Sequence, residues 1–410
     1  MDPQRAISEL RELDRLTGGR DGARRVCWTE EWETARELLL ERVAELGEVE
    51  VERDAADNLW AVLPGESDRM VVVGSHLDSV PEGGWLDGAL GVFAALEVLR
   101  AHAEAPRSPA LTVALVDWAD EEGARFGRSL LGSSAFAGTL EPDAIRGLCD
   151  SEGTSLVDAM AAHGADVDLV ALAGEDRRDR IAAYLELHIE QGPVLEAEGR
   201  SCAAVLGCNG VERHRIVFEG RGGHAGSTPM DRRADATVAA ARTIVGLAEI
   251  ARDHGGVCTA GRLALEPGIP TAIARRAELF VDQRHLDSSE LALMLAAARE
   301  LWDAAAAAEE CSVGAERIWS IEPVAFDDRL IAAARDACSE AAGSTRELPS
   351  GALHDAAELA RLAPTAMIFS SSTAGLSHAP QEDTPESDLE DALRAFGLLA
   401  GRVIAGEVLP

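Results

Sequence analysis

The chain has 410 residues, 47% of them hydrophobic, and a formal net charge of −34. That length allows two or three domains with a sizeable core, and the excess of acid argues against binding to nucleic acid or to an anionic membrane surface. All 38 basic residues are arginine, which excludes mechanisms that need a lysine Schiff base or a P-loop lysine.

Apolar runs, the first residues and the cysteines indicate the cellular compartment. No apolar run reaches the roughly 20 residues that span a bilayer, and the first residues lack the basic and then apolar layout of a signal peptide. The seven cysteines are scattered and form no Cys-x-x-Cys pair. Neither a disulfide framework nor a zinc finger is expected, and free thiols suit a reducing compartment, so we predict a cytoplasmic protein.

The first third of the chain alternates between helical and strand-like patterns, which predicts an α/β catalytic domain of three layers. In chain order the predicted elements are helices at 5–19 and 29–46, a hairpin-like pair within 49–63, a strand at 70–75, a helix at about 88–103 and a strand at 110–116.

A candidate metal-binding stretch follows the strand at 70–75. His76 and Asp78 lie two residues apart, so on a strand they share a face, and Asp78 can fix which imidazole nitrogen points at a metal. The glycine-rich loop that follows leaves Asp87 free to approach a second cation. A strand-end histidine with only a structural role is the alternative interpretation.

Two neighbouring acids, Glu121 and Glu122, follow the strand at 110–116. Such a pair is usually solvated charge, but open α/β sheets hold their ligands at the carboxyl ends of strands. There one carboxylate can bind a cation while the other carries a proton. A further apolar strand at 181–189 brings His188 to the same edge.

From about residue 210 the order becomes strand, helix, strand, strand, helix, strand, which predicts an inserted ferredoxin-like domain. Its elements are expected at 214–219, about 232–251, 257–266, 275–284, 288–309 and 316–325. His224 lies in its first glycine-rich loop, where it either reaches a substrate or is hydrogen-bonded locally. The predicted division is a catalytic domain in two parts, 1–209 and 327–410, around a domain at 210–326.

Five of the ten histidines lie at strand ends or in glycine-rich loops, as in a site assembled from distant segments: His76, His188, His224, His354 and His378. Six runs then resemble one family, at 74–92, 121–126, 187–193, 223–231, 350–356 and 375–378. Gly-Ser-His-Leu-Asp-Ser-Val-Pro opens the first, and Leu-His-Ile-Glu-Gln-Gly-Pro is the third. They are similar to the amidase, hydantoinase and carbamoylase branch of the dinuclear M20 metallopeptidases, from about residue 20 onward.

The resemblance implies two divalent cations per subunit, zinc in the first place, with manganese, cobalt or nickel as alternatives. One cation would be held by His76 and His188, the other by Glu122 and His378, with Asp87 bridging the two.

The resemblance also implies Glu121 as general base, with Asp78 behind His76. His224 would hold the scissile carbonyl oxygen, often across a homodimer formed through the inserted lid domain. Substrate contacts would come from Gln191, Asn209, Thr271, Arg284 and His354, with Arg284 as partner of a carboxylate or, alternatively, a mere surface charge. Asn209 stands where the family usually has Gln, and Thr271 where it usually has Asn. These departures affect the substrate and not the metals.

Three hypotheses follow. The first is metal-dependent hydrolysis of the C–N bond of an N-carbamoyl (ureido) amino acid or a related linear amide with a carboxylate, or alternatively of allantoate. The second is an aminoacylase or dipeptidase, disfavoured because the peptidase branches usually have an acid at the position of His188. The third is a binding or scaffold protein without catalysis, disfavoured because Glu121 and all five candidate ligands are present.

Overall fold

Two units make up the chain in this computed structural model, which describes residues 1–18 and 20–409. The first combines Met1–Gly207 with the chain from Phe326 onward, and the second is Cys208–Ala325. No helix within the described ranges is long and apolar enough to cross a membrane.

The first unit has a mixed α/β fold. Its strands are β1 (Glu50–Arg53), β2 (Leu59–Leu63), β3 (Ser67–His76), β4 (Leu111–Trp118), β5 (Ile181–Ile189), β6 (Cys202–Cys208), β14 (Glu347–Ser350) and β15 (Thr365–Ser370). Its helices are α1 (Pro3–Thr17), α2 (Glu30–Ala44), α3 (Ala89–Ala103), α4 (Leu131–Ala137), α5 (Pro142–Ile145), α6 (Leu156–Ala162), α7 (Val194–Glu198), α10 (Asp328–Ala342), α11 (Asp355–Leu359) and α12 (Glu386–Ile404).

The strands of this unit lie in the order β1-β2-β4-β3-β5-β15-β6, and β14 also pairs with β6. The four central strands β4, β3, β5 and β15 are parallel neighbours. In register, His76 is opposite Trp118, and His188 is opposite Phe369. The carboxyl ends of these strands therefore meet at one edge of the sheet, where α/β folds place their ligands.

Apolar side chains from the strands and helices bury this sheet. Val71 and Val73, which share a face of β3, belong to a large cluster with Leu96 of α3 and Phe396 of α12. A second cluster around Trp32 includes side chains from α4 and α6. Strand β5 is buried along all nine residues, which is typical of parallel strands covered by helices.

Arg36 of α2 lies fully buried between two carboxylates near the carboxyl ends of β3 and β4. Its Nε donates to Asp117 Oδ2 at 2.7 Å, and its Nη1 donates to Asp57 Oδ1 at 3.2 Å. The other oxygen of Asp117 accepts a hydrogen bond from the backbone N–H of Leu77 at 2.7 Å. Arg36 therefore supports the segment that directly follows His76.

Replacing Arg36 with Met should lower the free energy of unfolding by about 3–5 kcal/mol, because two buried carboxylates lose their charge partner. Arg53 is the matched control, since it also contacts Asp57 but is 34% exposed. Its replacement with Met should cost less than about 1 kcal/mol. Urea denaturation of both variants measures the difference, and equal losses would contradict the role of Arg36.

The second unit contains β7 (Gly210–Glu219), β8 (Gly223–His224), α8 (Ala236–His254), β9 (Val257–Glu266), β10 (Ala272–Ile273), β11 (Arg276–His285), α9 (Ser288–Ala308), β12 (Ser312–Ile321) and β13 (Val324–Ala325). Its main sheet has the order β12-β7-β11-β9, with every neighbouring pair antiparallel. Helices α8 and α9 contribute to one apolar cluster with this sheet.

Several element boundaries of the second unit differ from the sequence-based expectation, and β7 begins at Gly210 instead of His214. Helix α8 begins at Ala236 and not near 232, because the Asp235 side chain accepts the N–H of Thr237 and caps the helix there. The strand expected at 316–325 is β12 at Ser312–Ile321, with a register irregularity between Arg317 and Trp319.

Candidate metal centre

Two histidines and an aspartate converge at the carboxyl edge of the sheet. His76 is the last residue of β3, His188 is the second-to-last of β5, and both are buried. Asp87 lies in the loop between β3 and α3, and one ligand atom from each of the three lies within 4.8 Å of the others. Asp87 Oδ1 is 3.1 Å from His188 Nε2 and 3.8 Å from His76 Nε2.

Gly88 permits the close approach of this loop to His76. Its φ is 65°, a left-handed conformation that glycine adopts without strain. A Cβ at this position would lie 2.4 Å from the His76 imidazole. A side chain at residue 88 would therefore push Asp87 away from the strand.

Asp87 also belongs to a second group, with Glu122 and His378. His378 Nε2 is 3.2 Å from Asp87 Oδ2 and 3.4 Å from Glu122 Oε1. The His378 side chain is 49% exposed, so this group lies at the rim of the site. Glu122 comes from the turn after β4, four residues beyond the strand's end.

The two oxygens of Asp87 face different groups. Oδ1 is directed to His76 and His188, whereas Oδ2 is directed to His378. Burial alone would raise the pKa of Asp87, but the contacts with His188 and His378 outweigh it and hold that pKa well below its usual range. An ionised carboxylate with this division of oxygens can bridge two cations.

These residues fit a pair of divalent cations. Imidazole nitrogens and carboxylate oxygens are the ligand set of zinc and of other first-row metals. His188 Nε2 and Glu122 Oε1 are buried at the centre and make no well-oriented hydrogen bond to any described residue. Burial and the charge of Asp87 raise the pKa of Glu122 to about 7, and a cation beside it would favour the ionised form.

Glu121 lies beside both groups without belonging to either. Its Oε2 is 3.6 Å from His76 Nε2. Burial raises the pKa of Glu121 well above its usual value, the neighbouring His76 opposes that rise, and Asp355 and Glu122 add to it. A buried carboxyl group with an elevated pKa is suited to accepting and returning a proton.

The family model for peptidase family M20/M25/M40 matches residues 72–402. The chain belongs to this family. This match confirms the resemblance that the sequence motifs indicated. The M20 family is hydrolytic and the relatives are amidohydrolases, so the chain is a hydrolase.

Relatives over nearly the whole length of this M20 chain carry amidohydrolase names. It is 37% identical over 386 residues, 93% of each chain, to an N-carbamoyl-L-amino acid amidohydrolase of Geobacillus stearothermophilus. It is 34% identical over 384 residues, 92% of each chain, to an allantoate amidohydrolase of Escherichia coli (strain K12). The crystal structure of a hydantoinase/carbamoylase family amidase from Burkholderia multivorans is similar, with TM-score 0.90, 32% identity and 98% of both chains covered.

Asp78 contacts His76 more closely through its backbone oxygen than through its carboxylate. The backbone oxygen of Asp78 lies 2.9 Å from His76 Nδ1, whereas its carboxylate oxygen Oδ1 lies 3.6 Å from the same nitrogen. The carboxylate instead accepts the N–H groups of Glu121 and Glu122, both at 3.1 Å. Strand β3 ends at His76, so the alternation of side chains does not extend to Asp78. Asp78 therefore joins the segment after β3 to the segment after β4.

Gln191, expected to contact substrate, directs its amide at the Asp87 carboxylate. Its Nε2 donates to Asp87 Oδ2 at 2.9 Å and lies 3.1 Å from Ser377 Oγ. Ser377 and Glu382 complete a hydrogen-bonded group around Asp87 that the sequence analysis missed. In this structure Gln191 therefore supports the Asp87 carboxylate by hydrogen bonding.

His354 packs against His188, one of the candidate ligands. Its ring centroid is 4.4 Å from that of His188, and its Nε2 is 2.9 Å from Ser350 Oγ. Burial and then the neighbouring His188 lower the pKa of His354 well below its usual value, so its imidazole is neutral. A buried carboxylate, Glu186, also lies near both rings. The i, i+2 spacing of Glu186 and His188 on β5, which places both side chains on one face, is a sequence signal that could have predicted this contact.

The second unit carries the four remaining predicted site residues of the M20 chain. His224 is exposed on β8, and its Nδ1 accepts the N–H groups of Gly226 and Ser227, both at 3.2 Å. Thr271 is close to it in this unit, because the Thr271 carbonyl oxygen accepts the N–H of Ala225 at 2.9 Å.

Asn209 and Arg284 also lie in the second unit. Asn209 is buried, and its Oδ1 has no hydrogen-bond partner among the described residues. Arg284 Nε donates to Asp282 Oδ1 at 2.7 Å. Burial would raise the pKa of Asp282, but hydrogen bonds from Arg284 and Arg213 lower it below its usual value.

Proposed function

We propose that this M20 chain hydrolyses the C–N bond of an N-carbamoyl amino acid, with water as co-substrate and the amino acid, ammonia and CO₂ as products. The observation that carries the proposal is the pair of ligand groups that share Asp87, with Glu121 outside both. We propose zinc as the cation in each group, with manganese, cobalt or nickel as alternatives that the same ligands accept.

Glu121 and Asp78 of the first unit would have separate roles in the reaction. Bound cations would supply Lewis acidity to the scissile carbonyl and lower the pKa of a water molecule. Glu121 would take a proton from that water as it attacks the carbonyl carbon, and would return the proton to the departing nitrogen as the C–N bond breaks. Asp78 would hold Glu121 in place through the backbone N–H that it accepts.

His224 would stabilise the negative charge that develops on the carbonyl oxygen. Because its Nδ1 accepts two backbone N–H groups, the neutral imidazole carries its hydrogen on Nε2. Nε2 is therefore a donor, as an oxyanion requires. We further propose that the second unit closes as a lid of the ferredoxin-like type and that two copies pair through it.

Arg284 would bind the substrate carboxylate. Replacing it with Ala should raise KM about 10–150-fold for an N-carbamoyl amino acid, the range expected when a hydrogen bond to a charged group is lost. Steady-state kinetics of the purified variant provide the measurement.

Arg213 is the matched control for this prediction. It also binds Asp282, at 2.7 Å from Nη2, so its replacement with Ala disturbs the same aspartate. KM should stay within about threefold of the parent value if recognition depends on Arg284, since exposed ion pairs contribute little. Equal KM changes in both variants would indicate a structural effect, and an unchanged KM in the Arg284 variant would remove its role.

The relatives' names leave two ureide substrates to compare, an N-carbamoyl amino acid and allantoate. The chain should be loaded with each metal and incubated with N-carbamoyl-L-amino acids, N-carbamoyl-β-alanine, allantoate and N-acetyl amino acids while ammonia and free amine are measured. Ammonia release from an N-carbamoyl-L-amino acid, abolished by chelation and restored by metal, supports the proposal. Turnover confined to N-acetyl substrates, or activity that persists after exhaustive chelation, would overturn it.

A cytoplasmic location is also part of the proposal. Three buried cysteines, Cys27, Cys202 and Cys338, form no disulfide. Free buried thiols are typical of a reducing compartment.

A further inference from the structure

Glu382 is a buried carboxylate between two loops that each carry a candidate ligand. It is 2% exposed. One oxygen, Oε1, accepts the backbone N–H groups of Leu86 and Asp87, both at 3.0 Å. The other, Oε2, is 3.2 Å from the hydroxyl of Ser377, the residue next to His378. A single side chain thus connects the Asp87 loop to the His378 loop across 295 positions of sequence.

Ser377 extends this connection to the Asp87 carboxylate itself. Its Oγ is 2.9 Å from Asp87 Oδ2, the oxygen that faces His378. Glu382 therefore contacts Asp87 twice, directly through the backbone N–H and indirectly through the serine hydroxyl. The serine link acts on Oδ2, the Asp87 oxygen that faces His378 and not the one that faces His188.

Gly84 makes room for Glu382. A Cβ on Gly84 would lie 1.9 Å from the carboxyl carbon of Glu382, far inside the contact distance of two carbon atoms. The loop backbone consequently wraps closely around the carboxylate. An alanine at residue 84 would displace Glu382 without removing any hydrogen-bonding group.

We propose that Glu382 is a positioning residue that assembles the ligand group of Asp87, Glu122 and His378. This inference rests on the proposed function for the presence of two cations. Glu382 touches neither substrate nor the reacting atoms, and it acts by holding Asp87 and His378 at their mutual distance. Outer contacts of this kind orient metal ligands.

The other ligand group depends less on Glu382. His76 and His188 lie on strands, and their Nδ1 atoms contact the backbone oxygens of Asp78 and Ile189 at 2.9 and 3.0 Å. Those contacts fix both rings without any help from the His378 loop. Loss of Glu382 should therefore weaken one cation site far more than the other.

The test is equilibrium dialysis of the full chain against Co²⁺ or Mn²⁺, with metal content measured per chain and thermal unfolding followed in parallel. Replacing Glu382 with Ala should weaken the second binding event about 10–100-fold and the first by a smaller factor, because His76 and His188 keep their own contacts. Gly84→Ala should have the same effect by displacement. Glu382→Gln should retain most of the affinity, because its amide oxygen can accept the two N–H groups and its NH₂ can reach Ser377.

Glu97→Ala is the matched control, since Glu97 is equally buried and binds Arg5 and Arg100 away from the cluster. It should lower the unfolding temperature while two cations still bind. Two binding events of parental affinity in Glu382→Ala would overturn the inference, as would a Glu382→Gln variant as impaired as the alanine variant.

The proposed function fails in a different way. If the parent chain binds two cations and hydrolyses no substrate of the panel, the function is wrong while the dialysis still tests Glu382. If the parent hydrolyses N-carbamoyl amino acids and Glu382→Ala binds both cations normally, only the inference is wrong.

Discussion

Replacing Glu121 with Gln should lower kcat for an N-carbamoyl amino acid by about 10²–10⁴-fold, the usual contribution of a positioned general base. The substitution preserves the shape of the side chain and removes its ability to accept a proton at the oxygen that lies 3.6 Å from His76 Nε2. KM and the number of bound cations should stay close to the parent values, because Glu121 belongs to neither ligand group.

Glu122 provides the contrast in the same turn. Glu122→Gln removes a carboxylate that lies 3.4 Å from His378 Nε2, so it should lower cation content as well as activity. Steady-state kinetics and metal analysis of both variants separate a base from a ligand. A Glu121 variant that loses a cation, or one that keeps more than half of its kcat, would remove Glu121 from the role of base.

Replacing Asp87 with Ala should abolish tight binding of both cations, because its two oxygens face the two ligand groups separately. Lewis-acid stabilisation is worth several kcal/mol, and each 1.4 kcal/mol is a factor of ten in rate. The expected loss in kcat/KM is therefore roughly 10³-fold or more.

Asp327→Ala is the control for this aspartate. Asp327 caps α10 by accepting the N–H groups of Arg329 and Leu330, and its loss should cost about 1 kcal/mol of stability with both cations still bound. Metal analysis after gel filtration gives the comparison. An Asp87 variant that retains one tightly bound cation would show that the carboxylate serves a single site.

The segments that carry the candidate ligands could be located from the sequence because each lies at a recognisable local position. His76 and His188 end apolar strands, and parallel strands bring their carboxyl ends together. The glycine-rich loop around Asp87 indicated that this carboxylate is free to approach a cation. Periodicity and strand ends therefore contained much of the information about the first unit.

The contacts around those ligands could not be predicted in the same way. Glu382 lies in an acidic loop of a chain with 72 acidic residues, and nothing local distinguishes it from solvated charge. Its partners Leu86 and Asp87 are almost 300 residues away in sequence. The carboxylate of Asp78, predicted to act on His76, also accepts the N–H groups of Glu121 and Glu122, which lie 43 and 44 positions away in sequence. Only the tertiary structure determines such contacts.

The most direct test of the central claim is anomalous diffraction from a crystal of the chain grown with zinc or manganese. Two peaks per chain are predicted, one coordinated by His76 and His188, the other by Glu122 and His378, with Asp87 between them and Glu121 bound to neither. A metal-replete crystal with no peak at these residues, or with Glu121 as a ligand in place of Asp87, would contradict it.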